Sequence, residues 1–168
     1  SAVIKAAEPD VVLLQEITRD NEKILEDLDQ SLPHQLHCHR QDIESVAILS
    51  RFPFGAANRS DCLWALGFAR AEILINGKAV DLASFHSRWP WPFSQARQLE
   101  ALRGQFEALS HPVIFAGDFN SAPWSASVKQ PAQITGTRIP PGLLLTWGSR
   151  SAPFTPYIGP VLPIAPLL

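Results

Sequence analysis

The sequence contains no methionine and only two cysteines in 168 residues. A chain without methionine does not start at a natural initiator, so we expect a piece of a longer protein or one whose start was removed by processing. Cys38 and Cys62 leave a single disulfide and two separate thiols both open, and they do not decide the compartment.

Long hydrophobic runs are also absent. No stretch approaches the roughly 20 apolar residues of a membrane-spanning helix, and the start shows no signal peptide. We therefore expect no membrane contact by this segment, while a membrane anchor elsewhere in the parent protein stays open. Localisation and oligomeric state are also left open.

The chain carries little charge, and the two signs nearly balance. Charged residues make up 18% of the sequence and the net charge is −2, which argues against the broad basic surface typical of nucleic-acid-binding proteins. A local basic site is compatible with this balance, and ten of the 14 basic residues are arginine, whose forked donors suit phosphate. Walker, GxSxG and HExxH motifs are all missing.

Short apolar runs and two amphipathic stretches predict strands and helices in one domain. Residues 11–14 and 45–51 are typical of strands, the first covered on both faces. The spacing of apolar residues predicts helices over 21–32 and 94–109. A further strand is predicted at 113–116.

The clearest local pattern is a β-hairpin. Strands at 71–75 and 79–85 flank Asn76-Gly77, the pair favoured in a two-residue type I′ turn. A hairpin alongside helices favours packed sheets with helices outside over a purely parallel, doubly wound sheet.

The periodic pattern fades toward the end of the chain. From Pro153 onward the sequence is rich in proline and carries no charge, which predicts an extended or irregular segment. We therefore divide the chain into a domain at 1–152 and an irregular C-terminal segment of the same domain at 153–168.

Polar residues follow three of the predicted strands. Glu16 follows the first, His86 ends the hairpin, and Asp118 with Asn120 follows the buried strand in PVIFAGDFNSAP. Polar groups at the end of a core strand cost free energy unless something there needs them. We therefore expect these strand ends to converge on one polar mouth.

Alternation along the last of these strands predicts where its side chains point. Residues two apart in an extended segment share a face, so Asp118 and Asn120 should project together while Phe119 turns to the core. Gly117 would let another backbone or a ligand approach closely.

The side chains of Glu16, Asp118 and Asn120 offer only oxygen ligands. Such donors suit a hard cation, Mg²⁺ or Mn²⁺. Taken singly, each has a simpler interpretation, since a glutamate after a strand is usually solvated and Asp-x-Asn is commonly a turn. Their combination is what predicts a metal site.

The segments VVLLQE, VAILSR, LASFHS and VIFAGDFNSAP occur in this order along nearly the whole chain. They resemble the endonuclease/exonuclease/phosphatase family, whose fold is deoxyribonuclease-I-like. The stretch HSRWPWPF, with Gln95 and Gln98 after it, resembles one bacterial branch whose members often carry membrane helices ahead of the catalytic domain. The resemblance implies an α+β fold of two packed mixed β-sheets flanked by helices, a four-layer α/β/β/α sandwich that is incomplete at both ends of this chain.

The resemblance also implies a divalent-metal-dependent phosphoester hydrolase: a phosphodiesterase, a nuclease or a phosphatase. Glu16 matches the family's metal-binding glutamate, and Asp118 and Asn120 match the pair that orients the attacking water and the phosphate beside the metal. His86 matches the histidine that contacts phosphate or acts as an acid. The implied partners are Mg²⁺ or Mn²⁺ and a phosphate-ester substrate, with nucleic acid among the candidates.

Two parts of the family pattern are missing. The resemblance implies a first strand that bears an asparagine beside the metal, and we expect this chain to start after it. The family closes with an Asp-His pair, often after Pro-Ile, whereas Pro163-Ile164 is followed here by Ala165-Pro166. Neither replacement can accept a proton or orient a base. The alternative function is therefore a catalytically impaired module that binds phosphate or nucleic acid, and a third interpretation is a fragment too incomplete to function.

Candidate substrate-binding residues are Arg51, Arg88 and Trp89. Trp89, with Trp91 and Phe93, is suited to stacking on a base or touching a lipid or sugar, and packing of this loop against the body of the protein is the alternative. Arg88 is either a phosphate ligand or a structural residue.

One cluster invites a different interpretation. His34, His37, Cys38 and His39 lie within six residues, which is compatible with zinc binding. Because alternation in a strand puts His37 and His39 on one face and Cys38 on the other, and no second ligand pair lies nearby, we favour a partly exposed strand.

Overall fold

The computed structural model describes residues 2–39, 45–55, 60–109 and 112–140. These residues form seven strands, β1 (Val11–Gln15), β2 (His34–Cys38), β3 (Val46–Ser50), β4 (Asp61–Leu63), β5 (Phe68–Ile75), β6 (Lys78–His86) and β7 (Val113–Asp118). They also form four α-helices, α1 (Ala2–Ala7), α2 (Lys23–Leu28), α3 (Gln95–Glu107) and α4 (Ala126–Thr135), and a 3-10 turn at Trp64–Leu66. The segment predicted to be irregular, 153–168, lies outside the described residues.

The first sheet has the strand order β1-β3-β2, and its described strands are all antiparallel. The central strand β3 is buried along its whole length, because its residues alternate between the second sheet and the helix α2. Gln15 pairs with Val46, and Val11 pairs with Ser50 at the far end of β1. The end of β1 that leads into Glu16 therefore lies beside the start of β3.

The second sheet has the order β4-β5-β6-β7 and contains both kinds of pairing. The predicted hairpin is present as β5 and β6, and Asn76 and Gly77 have φ values of +51° and +76°, the left-handed conformation that a type I′ turn requires. β7 runs parallel to β6, with Phe85 opposite Gly117 and His86 opposite Asp118. This register places the last residues of the two strands side by side.

Three apolar clusters separate four layers, as the resemblance implied. One lies between the second sheet and the helices α3 and α4, one between the two sheets, and one between the first sheet and α2. The first of these is built on phenylalanine rings that meet edge to face, such as Phe85 and Phe106 with centroids 6.1 Å apart. The prediction of two mixed sheets is correct for the second sheet, whereas the described part of the first is purely antiparallel.

The predicted helices differ from the observed ones mainly at their ends. The helix α3 covers most of the predicted range 94–109, but α2 is shorter than the predicted 21–32. The sequence did not predict α4, because Pro131 lies inside it and lacks the N–H that a helix interior uses. None of the helices in the described ranges is long and apolar enough to cross a bilayer.

Cys38 and Cys62 form a disulfide, with their Cα atoms 5.4 Å apart. Of the two alternatives that the sequence left open, the structure therefore contains the bridge. It connects β2, at the edge of the first sheet, to β4, at the edge of the second.

Candidate functional site

Glu16 lies at the turn that ends β1. Its backbone has a φ of +57°, a conformation uncommon for residues other than glycine. Asn21 holds this turn: its Nδ2 donates to the carbonyl of Glu16 at 3.0 Å, and its Oδ1 accepts from the backbone N–H of Thr18 at 2.8 Å. The position of the glutamate thus depends on local hydrogen bonds as well as on the sheet.

A second set of hydrogen bonds joins β1 to β6 across the two sheets. Gln15 donates from Nε2 to the hydroxyl of Ser84 at 3.0 Å, and that hydroxyl donates to the carbonyl of Leu14 at 3.2 Å. Because Gln15 precedes Glu16 and Ser84 lies two residues before His86, this link brings the ends of β1 and β6 together.

The side chains of Glu16, His86 and Asp118 meet at these strand ends. Their potential ligand atoms all lie within 4.8 Å of one another, and His86 Nε2 is 3.5 Å from Glu16 Oε1. Glu16 is exposed, Asp118 is half-buried and His86 is buried. In the part of the chain that the structure describes, no other group of histidine, cysteine and acidic side chains is arranged to hold a metal ion.

Asn120 reaches the same place by a turn. The strand β7 ends at Asp118, whose Oδ1 accepts the backbone N–H of Asn120 at 2.8 Å, and Asn120 has a φ of +46°. Its Nδ2 donates to the carbonyl of Ser87 at 2.6 Å. Phe119 is buried in the core as predicted, but the two polar residues converge because the chain bends after Asp118, and the extended geometry assumed from the sequence does not continue.

A cavity of about 340 Å³ opens beside these side chains. Its lining includes the polar side chains of Glu16, His86 and Asn120 and the aromatic side chains of Trp89 and Phe93. Both aromatic side chains are more than half exposed, at 52% and 67%. Polar groups and an aromatic wall therefore share one opening.

Arg88 lies on the wall of the same cavity. Its guanidinium donates from Nη1 to the hydroxyl of Ser94 at 3.2 Å and from Nη2 to the carbonyl of Ala65 at 3.0 Å. These bonds hold a positively charged side chain on the wall of the cavity that Glu16 and His86 also line.

The structure does not bring Arg51 to this group. Its Nη1 lies 3.0 Å from Asp10 Oδ1, at the end of β1 opposite to Glu16. It lines a separate cavity with Lys5 and Glu8. The strand that precedes Arg51 was predicted correctly. Arg51 itself lies at the end of the sheet away from the cluster.

His34 and His37 lie in the strand β2, as favoured from the sequence, and His39 follows its last residue. Cys38 is in the disulfide, and His37 Nε2 forms a hydrogen bond with the hydroxyl of Ser45 at 2.8 Å. Burial and the nearby His39 lower the pKa of His37, while Glu22 acts in the opposite direction. These features describe a structural strand, and the cluster is not one of the groups arranged to hold a metal.

No pattern in the sequence singles out Ser87 as a residue of the site. Its carbonyl accepts from Asn120, and its backbone N–H donates to the carbonyl of Asp118 at 2.7 Å. Both contacts use main-chain atoms that every residue type possesses, so the identity of the residue could not reveal them.

The donor set fits a hard divalent cation. Magnesium typically takes one or two carboxylates and fills its other positions with water and substrate phosphate, and Glu16 and Asp118 supply two carboxylates beside an open cavity. Since Asn120 donates through Nδ2, its Oδ1 is the atom of that side chain able to act as a ligand.

The two sheets pack against each other between helices, and acidic and imidazole side chains meet at adjoining strand ends. This arrangement is that of the deoxyribonuclease-I-like class of fold. The chain belongs to the Endonuclease/Exonuclease/phosphatase family, whose model matches residues 1–164. Members of this family are metal-dependent phosphoester hydrolases. Placement in the bacterial branch remains a prediction.

Solved structures support the fold. Sphingomyelinase C from Streptomyces griseocarneus is 18% identical with a TM-score of 0.60, over 94% of this chain and 70% of that one. Beta toxin from Staphylococcus aureus with bound magnesium ions is 17% identical with a TM-score of 0.59, over 94% and 70%. D. rerio TDP2 complexed with a single-strand DNA product is 20% identical with a TM-score of 0.57, over 78% and 55%.

The chain is shorter than several of these structures. It spans 55% of the TDP2 chain and 60% of the chain in a further beta toxin structure. No curated protein matches the sequence.

Proposed function

We propose that this chain carries the phosphoester-hydrolysing site of its protein and uses Mg²⁺ or Mn²⁺ held by Glu16, Asp118 and Asn120. The observation that carries the proposal is the meeting of Glu16, His86 and Asp118 within 4.8 Å beside an open cavity. Buried histidine and half-buried carboxylate at converging strand ends are costly arrangements for a surface that binds nothing.

The roles of the side chains follow from their chemistry. A bound divalent cation would supply positive charge to the phosphate. Asp118, the half-buried carboxylate, orients a water for in-line attack and accepts its proton. Asn120 has a second amide hydrogen beyond the one donated to Ser87, and this hydrogen is available to a nonbridging phosphate oxygen. His86, when protonated, donates to the phosphate or to the leaving oxygen.

The positive charge of Arg88 adds to this arrangement. Because its guanidinium is already oriented by Ser94 and Ala65, little reorganisation is needed when a phosphate enters the cavity. Arg51 plays no part in the proposal, since it lies at the other end of β1.

The function predicts a strict requirement for a divalent cation. With the full chain, we expect a chelator to lower hydrolysis of bis-p-nitrophenyl phosphate by at least about 100-fold, because the cation offsets several kcal/mol of developing charge. Added Mg²⁺ or Mn²⁺ should restore the rate. Circular dichroism in chelator serves as the control for folding, and equal turnover with and without chelator would reject the metal assignment.

A second candidate function rests on the sequence at Ala165-Pro166, where the family has an Asp-His pair. Without that pair the site would bind metal and phosphate but turn over slowly or not at all. Calorimetry with Mn²⁺ and inorganic phosphate separates the two candidates: binding without turnover favours the impaired module, and binding with metal-dependent turnover favours the enzyme.

The aromatic wall bears on the choice of substrate. Packing against the body was one interpretation of this loop, but Trp91 is 91% exposed, and Trp89 and Phe93 line the cavity. A planar or apolar group next to the phosphate would find a partner there. Because structures of similar fold include one complexed with single-strand DNA and one named sphingomyelinase C, we include nucleic acid and lipid phosphodiesters among the substrates to test.

Trp89→Ala should therefore discriminate between substrates. We expect kcat/KM for phenyl p-nitrophenyl phosphate to fall about tenfold, since stacking of the phenyl group contributes about 1–3 kcal/mol. For methyl p-nitrophenyl phosphate, which lacks the phenyl group, kcat/KM should change little. Leu74→Ala, an exposed apolar residue of β5 that does not line the cavity, is the matched control. An equal loss for both esters would show that Trp89 does not contact the substituent.

A further inference from the structure

We propose that Gln95 is a positioning residue that fixes the spacing between the loop after His86 and the loop after Asp118. The proposal rests on the proposed function, because it assigns Gln95 a role in orienting the residues of that site. Gln95 itself does not line the cavity.

The amide nitrogen of Gln95 is surrounded by acceptors from both loops. Its Nε2 lies 2.9 Å from the carbonyl of Arg88 and 3.0 Å from the carbonyl of Phe119. The hydroxyls of Ser87 and Ser121 lie at 3.0 and 3.1 Å from the same atom. Backbone carbonyls can only accept, so the amide must present its nitrogen to them, and its two hydrogens suffice for one bond to each loop.

The side chain is buried, which makes these bonds matter. Gln95 is only 5% exposed, and a buried carbonyl that loses its donor keeps the cost of its desolvation. The bond to the Phe119 carbonyl is itself buried, so that carbonyl cannot exchange the amide for bulk water without a change in structure. The bond to Phe119 lies between Asp118 and Asn120, and the bond to Arg88 lies two residues after His86.

Two hydrogen bonds of the Ser87 main chain run alongside this bridge. Ser87 donates its N–H to the carbonyl of Asp118 at 2.7 Å and accepts from Nδ2 of Asn120 at 2.6 Å. Gln95 is the side chain outside the two loops that bonds to both of them in the described structure. It therefore completes a three-point connection between the segments that carry His86, Asp118 and Asn120.

The helix that carries Gln95 is well suited to this purpose. Leu99, Leu102 and Phe106 anchor α3 in the core beneath the second sheet. Gln98, one turn after Gln95, has no hydrogen bond to the loop after Asp118 among the residues that the structure describes: its Nε2 donates to the carbonyls of His86 and Leu66, and its Oε1 accepts the N–H of Arg88. Two buried glutamines on one helix face thus bond to the segments around the site, and Gln95 is the one that bonds to both the loop after His86 and the loop after Asp118.

The test replaces the amide with an apolar group of similar length. In the full chain, Gln95→Met should lower kcat for bis-p-nitrophenyl phosphate by about 10²-fold, the effect expected of a displacement near 1 Å, with KM changed less than about threefold. Leu28→Ala is the matched control, because Leu28 is buried behind the first sheet and its loss destabilises the protein without touching the mouth. Its kcat should equal that of the wild type at a temperature where both variants are folded.

A second measurement does not depend on turnover. Mn²⁺ affinity, followed by electron paramagnetic resonance, should weaken about tenfold in Gln95→Met because Asp118 shifts relative to Glu16, and it should be unchanged in Leu28→Ala. If the wild type hydrolyses nothing, the proposed function fails, and the Mn²⁺ comparison still decides the role of Gln95. Unchanged kcat and Mn²⁺ affinity, or a loss confined to KM, would overturn the proposal. Should Gln95→Met not fold, Gln95→Asn, which keeps the amide on a shorter side chain, decides by the same measurements.

Discussion

Asp118→Asn is expected to lower kcat/KM for bis-p-nitrophenyl phosphate by about 10³-fold or more and to leave the fold intact. The substitution removes the negative charge that would orient the water, accept its proton and bind the cation. It replaces one carboxylate oxygen by an amide group of nearly the same size. The loss of activity would therefore reflect the charge and basicity of the side chain and not its shape.

The local structure explains why the fold should survive. The side chain of Asp118 acts as an acceptor: its Oδ1 accepts the backbone N–H of Asn120 at 2.8 Å. An asparagine Oδ1 can accept the same N–H. The turn that places Asn120 against Ser87 therefore stays, and only the chemistry of the carboxylate is lost.

The measurement is steady-state hydrolysis at saturating Mg²⁺ or Mn²⁺, with thermal unfolding of each variant as the check on folding. Asp27→Asn is the matched control, because Asp27 is an exposed aspartate of α2 that neither belongs to the cluster nor lines the cavity beside it, and its activity should equal that of the wild type. Retention of more than about a tenth of wild-type activity in Asp118→Asn would contradict a role as base or metal ligand, since such groups contribute at least about 100-fold.

The chemistry at the strand ends was readable from the sequence because it is local. A buried strand that stops in a carboxylate is visible in PVIFAGDFN, and Glu16 and His86 follow strands whose alternation or apolar run is equally plain. The meeting of those three side chains was an expectation that no local pattern could establish. It depends on the parallel pairing of β6 with β7, with His86 opposite Asp118, and on the link from Gln15 to Ser84 across the sheets.

The same limit accounts for what the sequence placed badly. Arg51 follows a correctly predicted strand, but antiparallel pairing in the first sheet sends the end of β3 away from Glu16. The turn at Asn120 and the contacts of Ser87 involve main-chain atoms, which every residue type possesses. Gln95 was visible in the sequence as part of a resemblance, but its partner carbonyl at Phe119 is 24 residues away and no local pattern shows it. Helix α4 was not predicted because Pro131 lies inside it, and proline is the least favourable residue in a helix interior when only the local sequence is considered.

Gly117 lies in β7, directly before Asp118. Of the substitutions proposed here, its replacement should have the largest effect on stability. Its backbone does not adopt a left-handed conformation, so conformational freedom is not the reason for glycine here. The reason is close approach: a Cβ built on Gly117 would collide with the carbonyl oxygen of Phe85 and lie 2.7 and 2.9 Å from its carbonyl carbon and nitrogen. These are backbone atoms of the paired strand β6, which cannot rotate away.

We therefore expect Gly117→Ala to lower the free energy of unfolding by at least about 4 kcal/mol, or to prevent folding, since the clash separates β7 from β6 and with them Asp118 from His86. Gly104→Ala is the matched control within the same chain. Apart from the neighbouring residues and backbone of its own helix, no heavy atom of the described residues lies within 4 Å of a Cβ at that position, and alanine in place of glycine inside a helix should raise stability by about 0.5–1 kcal/mol. Urea unfolding followed by circular dichroism measures both variants. A Gly117→Ala protein as stable as the wild type would mean that β6 and β7 do not pair in this register, and the juxtaposition of His86 with Asp118, on which the proposed site depends, would fall with it.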